Sequence, residues 1–292
     1  MKCLYVGKFA RYFSTENYIS HALEQYGIEV LKVPYKAPQS IDIVETFSPD
    51  FILFSKANSS LVSGIMNLSP PKPKTICWQF DLYWGYRGRN VMPPQFWADY
   101  LFTTDGGHDS EWGSIGCNHH TLRQGIHQPD YQMFSPRRPV WDIGFVGGVE
   151  GHPSRQRLIE WLQRRYVRSN EFKIFSQTRG LDLNKALAKC NVIVGDSYPA
   201  SNYWSNRIYE MLGRGAFLLH PETEGLDSEF TDGEHYVSYR RDDYDQLEGL
   251  ISHYLQRPQE CERIRQQGFE RCGEYTYHAR VGELLRVAGL SP

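Results

Sequence analysis

Short apolar runs rich in β-branched and aromatic residues recur along this chain, and nearly every one is followed by a stretch that can be helical. Few architectures suit such a chain. Parallel strands need long crossover connections, helices supply them, and the alternation therefore predicts βα units on parallel sheets. In the first half the spacing predicts strands at Lys2 to Gly7, Glu29 to Pro34, Phe51 to Ser55, Thr75 to Phe80, Tyr100 to Thr104 and His119 to Gln124. Helices are expected at Thr15 to Tyr26, Ile41 to Phe47, Ser59 to Asn67 and Asp109 to Ile115.

Between Ile126 and Trp141 the rhythm lapses into HQPDYQMFSPRRPVW, where prolines and mixed polarity stop either period from continuing. A second series then opens, with strands at Asp142 to Val146, Phe172 to Ser176, Val192 to Gly195, Ala216 to His220 and Tyr236 to Tyr239. Its helices are expected at Pro153 to Arg165, Asp182 to Lys189 and Trp204 to Gly213, and the end of the chain reads as helices broken at Pro258 and Gly273. A length of 292 residues suits two domains of this kind. We expect an N-terminal domain at 1–137, a C-terminal domain at 138–275, and a final helix at 276–292 that packs back on the first domain. Doubly wound sheets bind ligands beyond the carboxyl ends of their strands, so two such domains facing each other would create a cleft. A periplasmic-type binding protein or a dehydrogenase fits this step equally well.

The net charge of −2 gives no whole-molecule attraction to a polyanion, so nucleic-acid or membrane binding would require a local patch. The opening MKCLYVGKFARYF has too short an apolar run for a signal peptide, and no stretch approaches the roughly 20 apolar residues of a membrane span. A cytoplasmic protein is expected. The cysteines Cys3, Cys77, Cys117, Cys190, Cys261 and Cys272 are scattered, without a CxxC pair, which favours a reduced compartment over a disulfide or zinc framework. His119 and His120 would point apart on a strand, against joint metal ligation.

The richest stretch for chemistry is GDSYPASNYWSNRIYEMLGRGAFLLHPETEGL, from Gly195 to Leu226. On its helix Trp204, Ile208 and Met211 would form the apolar stripe, and Arg207, Glu210 and Arg214 would share another face. A carboxylate can accept two vicinal hydroxyls, as a ribose presents them, and an arginine fork matches phosphate oxygens. The loop from Ser197 to Ser205, with Tyr198, Asn202 and Ser205, precedes the helix, where free N–H groups favour a diphosphate. The structural alternative is a surface ion pair between Arg207 and Glu210, worth a few tenths of a kcal/mol.

This segment resembles the donor-binding region of group 1 glycosyltransferases, most of all the branch of spore-maturation CgeB-like proteins. The residues that carry the resemblance are Ser205, Asn206, Arg207, Glu210, Gly213, Gly215, Ala216, Phe217, Gly225, Leu226, Asp232, Gly233 and His235, with Tyr275, Thr276, Tyr277 and Arg280 near the end. It covers roughly Asp142 to Leu285, and the first half more faintly through strand rhythm and the stretch DYLFTTDGG. The resemblance implies a GT-B fold, an α/β architecture of two Rossmann-like doubly wound domains. It also implies that Glu210 holds the nucleotide ribose and that Arg207 lies near the diphosphate. The group's paired-glutamate pattern expects a first Glu where this chain has Asn202, an amide that can bond a sugar hydroxyl but cannot act as an anion. Any role that requires negative charge there, and with it the stereochemistry of transfer, stays open.

A second candidate is FVGGVEGHPSR, Phe145 to Arg155, where Gly147 and Gly148 close a strand before a helix with Pro153 in its first turn. Arg155 and Arg157 could stabilise a leaving nucleoside diphosphate, a task given to metal ions in other transferases. No DxD occupies the loop where a metal site is expected, so transfer without a metal is favoured. The alternative is a glycine turn with arginines on a solvated helix. In the first half, Lys8 or Arg11 follows the first strand, WQFD ends the fourth at Asp81, and TTDGGH places Asp105 and His108 after the fifth. His108 and Asp81, ahead of Asp105, are the candidates for the base that takes the acceptor proton. An Asp before Gly-Gly is more often a turn or cap residue.

The expected function is glycosyl transfer from a nucleoside diphosphate sugar, UDP-sugar first, to the hydroxyl of a glycan, lipid-linked or protein acceptor, with no separate cofactor. A DNA-modifying transferase acting on hydroxymethylated bases is the narrower alternative, with Arg137, Arg138, Arg164, Arg165, Arg168, Arg240 and Arg241 as a phosphate-tracking face. A degenerate nucleotide-sugar binding module is the alternative of another class, favoured by Asn202 and opposed by Arg207 and Glu210. A dinucleotide oxidoreductase would need a GxGxxG after a strand, which this chain lacks.

Overall fold

The computed structural model describes residues 1–36, 40–56, 59–83, 92–135, 137–148, 153–168 and 170–290, apart from the side chain of Ser59. The chain divides into two compact units, one of Met1–Gln124 with Tyr277–Pro292 and one of Gly125–Thr276.

In the first unit β1 (Lys2–Gly7), β2 (Glu29–Pro34), β3 (Phe51–Phe54), β4 (Lys74–Gln79), β5 (Tyr100–Thr103) and β6 (His119–Thr121) form one sheet in the order β2-β1-β3-β4-β5-β6. All its pairings are parallel. Successive side chains on a strand face opposite sides, so each strand feeds two cores. Cys3, Tyr5, Leu53 and Trp78 pack beneath α1 (Thr15–Gln25) and α10 (Tyr277–Val287). Leu4, Val6, Phe54 and Cys77 pack on the other face with Val62 and Ile65 of α3 (Ser59–Met66) and Trp112 of α4 (Asp109–Ser114). Ser14 caps α1 by accepting from the Asn17 N–H, which fixes where the loop after β1 ends. The remaining helix, α2 (Asp42–Phe47), buries Val44.

The second unit repeats the scheme with β7 (Trp141–Val146), β8 (Phe172–Phe175), β9 (Cys190–Val194), β10 (Leu218–Pro221) and β11 (Val237–Tyr239), in the order β11-β10-β9-β7-β8. One face packs Ile143, Phe145, Val192 and Leu219 against α5 (Pro153–Arg165), α8 (Tyr244–Leu255) and α9 (Pro258–Cys272). The other packs Val146, Ile193 and Leu218 against α6 (Gly180–Leu187) and α7 (Arg207–Leu212). Pro258 opens α9, where its missing N–H costs nothing, and Gly273 caps its end.

Three boundaries differ from those the sequence suggests. The edge strand β6 stops at Thr121, because the Leu122 carbonyl accepts from the Trp78 indole at 2.9 Å and the Gln124 carbonyl accepts from Arg280 Nε at 3.1 Å. Helix α7 begins at Arg207, so Trp204 precedes it in the loop, buried with its indole N–H bonded to the Tyr209 hydroxyl at 2.8 Å. The chain crosses between units after Gln124 and again after Thr276, where the sequence suggests 137/138 and 275/276. Ile126 bridges Thr276, and Asn184 of α6 donates to the carbonyls of Asp130 and Gln132, so the stretch from Gly125 belongs with the second unit. Among the described residues no helix is long and apolar enough to cross a membrane.

Candidate functional site

The carboxyl ends of β7 and β9 bring together Arg155 and Arg207, two of the charges that the sequence singles out. At the end of β7, Gly147 has φ +134, and its N–H bonds the Phe175 carbonyl at 3.1 Å. Arg207 crosses above it with its guanidinium 5.5 Å from the centre of the Phe145 ring. The Gly148 carbonyl accepts from Arg155 at 2.8 Å. Arg155 Nε then reaches Asp196 Oδ2 at 2.7 Å, while Arg207 bonds the other oxygen of that carboxylate and, at 3.2 Å, the Asp196 carbonyl. Asp196 is buried and stands between two guanidiniums.

Burial first, then repulsion from Arg155 and Arg179, pushes the Arg207 guanidinium down to about 9. Burial also lowers Arg155. Both remain cations at neutral pH, so two guanidiniums share the Asp196 carboxylate, with the Arg179 cation near enough to repel Arg207. Glycine-lined strand ends with convergent guanidiniums suit phosphate oxygens.

The loop after β9 is tied down at both ends. Arg241 donates to the Ser197 carbonyl at 2.7 Å, and the Asn202 N–H bonds the Glu224 carbonyl at 2.9 Å. Asn202 has φ 54, a left-handed conformation that asparagine tolerates better than most residues. Its amide oxygen lies against Gly225, where a Cβ would come within 2.1 Å of it. Tyr198 is 44% exposed and lines a cavity of about 290 Å³ with Ser201, Glu222, Glu224 and Arg241. Ser197 Oγ, Ser205 Oγ, Asn206 Oδ1 and His220 Nε2 are buried polar atoms with no hydrogen-bond partner among the described residues, which a polar ligand can satisfy.

Of the expected face shared by Arg207, Glu210 and Arg214, only the Glu210–Arg214 part forms. Arg207 turns to Asp196, and Glu210 pairs with Arg214, whose Nε and Nη2 reach Glu210 Oε2 at 3.0 and 2.7 Å. Arg214 follows the Gly213 cap of α7, which keeps right-handed helical angles, and the chain turns away only at Gly215, where φ is 69. The second Glu210 oxygen, Oε1, is 3.5 Å from the Asn206 amide. Asp196 and Arg179 escaped the sequence reading, and Arg241 entered it only as part of a phosphate-tracking face, because nothing in their local spacing connects them with Arg207. Asp196 had a signal, as the first polar residue after a buried strand.

In the first unit the candidates end two adjacent strands. Asp81 is exposed, with its carbonyl accepting from Gln79 at 3.0 Å. Asp105 is fully buried; the Tyr83 N–H reaches its Oδ2 at 3.3 Å, and its Oδ1 has no hydrogen-bond partner among the described residues. Burial raises its carboxyl above the ordinary range. His108 precedes α4, and its Nδ1 is 3.1 Å from Glu111 Oε1, a contact that pushes Glu111 down to about 2. Glu111 is thus a carboxylate that orients His108, detectable as an i,i+3 pair and missed. The aromatic residues Trp84 and Tyr86 lie outside the described residues. His119 engages Asp109 and Thr103, whereas His120 stacks on Phe102. Among the described residues no three His, Cys, Asp or Glu side chains cluster as metal ligands, and all six cysteines are free. Of the arginines expected to track phosphates, Arg137, Arg165, Arg168 and Arg240 pair with Glu262, Glu248, Glu171 and Asp243.

Two parallel, doubly wound units of this order make the fold GT-B, that of a large class of glycosyltransferases. Residues 147–286 match the family described as Glycosyl transferase-like. Solved structures agree over the whole chain. Sucrose-phosphate synthase (tll1590) from Thermosynechococcus elongatus superposes with a TM-score of 0.72 at 12% identity, over 100% of both chains. Anabaena Alr3699/HepE in complex with UDP and glucose gives 0.65 at 11% identity, also over 100% of both. An alpha-glucosyltransferase in complex with UDP and a 13-mer DNA containing an HMU base gives 0.70 at 9% identity, over 98% of both. Comparison with curated protein sequences returns no match.

Proposed function

We propose that this protein moves a glycosyl group from a nucleoside diphosphate sugar, with UDP-sugar as the donor, to an acceptor hydroxyl of a glycan, lipid-linked or protein acceptor. The observation that carries this reading is the convergence of Arg155 and Arg207 on the glycine-lined end of β7, where both pair with the buried Asp196. UDP in the solved relatives of the same fold supports it. The sequence motifs from Ser205 to Glu210 align it with the CgeB-like branch.

In this reading Arg155, Arg207 and the backbone at Gly147 and Gly148 hold the diphosphate, and Ser205 lies beside it. Glu210 and Asn206 take the ribose hydroxyls. Tyr198 faces the sugar, and Asn202 shapes its loop by bonding the backbone at Glu224. The acceptor oxygen bonds the anomeric carbon while the bond from that carbon to the phosphate oxygen breaks, and the charge that develops on the leaving diphosphate is stabilised by the guanidiniums. The acceptor proton passes to a base in the first unit, His108 held by Glu111, with Asp81 and Asp105 as the other candidates. Because arginines supply the charge, transfer proceeds without a metal, and activity that survives EDTA tests this. The free cysteines accord with a cytoplasmic setting.

The deciding experiment is thermal unfolding of wild type and Glu210→Ala against a panel of nucleoside diphosphates and their sugar conjugates. A ligand at a hundred times its Kd adds about 2.7 kcal/mol. A shift with one nucleotide family that the variant loses supports the donor site; no shift with any member overturns it. Detectable donor hydrolysis excludes the reading as a catalytically inert binding module. The DNA-modifying reading is the less supported one, since most of its arginines are already paired.

A further inference from the structure

Arg214 is a guanidinium with 1% of its side chain exposed, and burying such a charge is costly unless every donor is met. It is met from three segments. Nη1 reaches the Gly180 carbonyl at 2.9 Å and the Asn184 amide oxygen, both on α6. Nη2 reaches Asp130 Oδ2 at 2.8 Å, and Nη2 and Nε both reach Glu210 Oε2. The turn that carries Arg214 is pressed against the stretch 126–133: a Cβ on Gly213 would lie 2.8 Å from Ile126 Cγ1, and one on Gly215 would lie 2.4 Å from Met133 Cγ.

Asp130 alone neutralises Arg214. Glu210 leaves the cluster with a surplus negative charge, which a device for stability does not need. What the arrangement does for Glu210 is specific. Arg214 grips one oxygen with two N–H groups and, among the described residues, leaves Oε1 with only the long 3.5 Å contact to Asn206. A side chain with several rotatable bonds is thereby held in one pose with one acceptor unspent.

We propose that Arg214 is the positioning residue for recognition of the donor ribose, acting through Glu210 and itself anchored by Asp130. This inference rests on the reading of Glu210 as the ribose ligand. With the ribose diol on Glu210 Oε1, discrimination between a nucleotide with ribose hydroxyls and one without them depends on Arg214, although Arg214 touches neither.

The test is calorimetric binding of UDP and of 2′,3′-dideoxyuridine diphosphate to wild type, Glu210→Ala, Arg214→Met and Arg214→Lys. Wild type should prefer UDP by roughly tenfold or more, since a buried acceptor left without its hydroxyl costs on the order of 1–3 kcal/mol. Arg214→Met should lose most of that preference, as Glu210→Ala does, and Arg214→Lys, which keeps the charge but not the fork, should fall between. Should Arg214→Met fail to fold, Arg214→Lys decides. A melting temperature that drops while the preference stays whole would overturn the proposal, because a purely structural arginine changes stability and not the ratio. A wild type with no preference, or Glu210→Ala with the full preference, places the failure in the reading of Glu210 instead.

Discussion

Gly147 leaves room for Arg207: a Cβ at position 147 would stand 2.8 Å from Arg207 Nη2, and the backbone there has φ +134, a conformation that side chains rarely adopt. Strand end and guanidinium are therefore one unit. The glycine permits the arginine to lie across the end of β7, and the arginine is what gives that end its charge.

Gly147→Ala should thus disturb both. The strained backbone costs on the order of 1–3 kcal/mol of stability, and the displaced guanidinium lowers affinity for UDP by tenfold or more. Chemical denaturation and calorimetry read the two effects separately. An alanine variant with wild-type affinity would remove Gly147 from the donor site.

Arg207→Ala should weaken UDP binding by about 1.5–3 kcal/mol, the range for a hydrogen bond to a charged group. Uridine, which lacks phosphates, should bind the variant and wild type alike. Equal losses for UDP and uridine would mean that Arg207 serves the fold and not the diphosphate.

His220 sets a pH dependence of known sign. Burial first, with Arg207 and Arg241 adding repulsion, pushes its imidazole down from 6.5 to about 3, so the folded protein holds it neutral. The stability it contributes is complete above pH 6.5 and falls as the pH drops toward 3, by about 1.4 kcal/mol per pH unit. His220→Gln should flatten the slope of unfolding free energy between pH 6.5 and 4.5. An unchanged slope in urea denaturation would count against a neutral buried imidazole.

Asp105 runs the opposite way. Its carboxyl is raised by burial, so the protonated form favours folding and its contribution is lost as pH rises through the folded value. Asp105→Asn should match or exceed wild-type stability at pH 7.5. Its turnover then separates roles: full activity dismisses Asp105 as the base.

His108→Ala should lower turnover by a hundredfold or more while donor affinity stays within twofold, the pattern of a general base. Glu111→Gln should give a smaller loss, because the imidazole loses the carboxylate that orients it. Equal turnover in wild type and both variants would exclude the pair.

The architecture was legible because strand and helix periods are written in neighbouring residues. Val6, Phe54 and Val146 lie at the ends of continuous apolar runs buried on both faces, as strands of a parallel sheet covered by helices are, and Pro258 and Gly273 punctuate the closing helices at the places the sequence marked. The motif from Ser205 to Glu210 was equally local. What spacing misjudged was the partner of each charge: Arg207 and Glu210 sit at helical distance in sequence, yet one turns to Asp196 and the other to Arg214.

By itself the sequence determined a two-series α/β chain, the strand-end glycines at 147 and 148, and the residue types that can meet a diphosphate and a ribose. Tertiary structure decided which of them work together. Asp130, Asn184 and the neighbouring pair Glu210 and Arg214 come from three distant parts of the chain, as do Arg155, Asp196 and Arg241. The physical reason is that period and turn chemistry depend on adjacent residues, whereas a buried charge chooses its partner by desolvation and geometry once the crossovers have brought remote strand ends side by side.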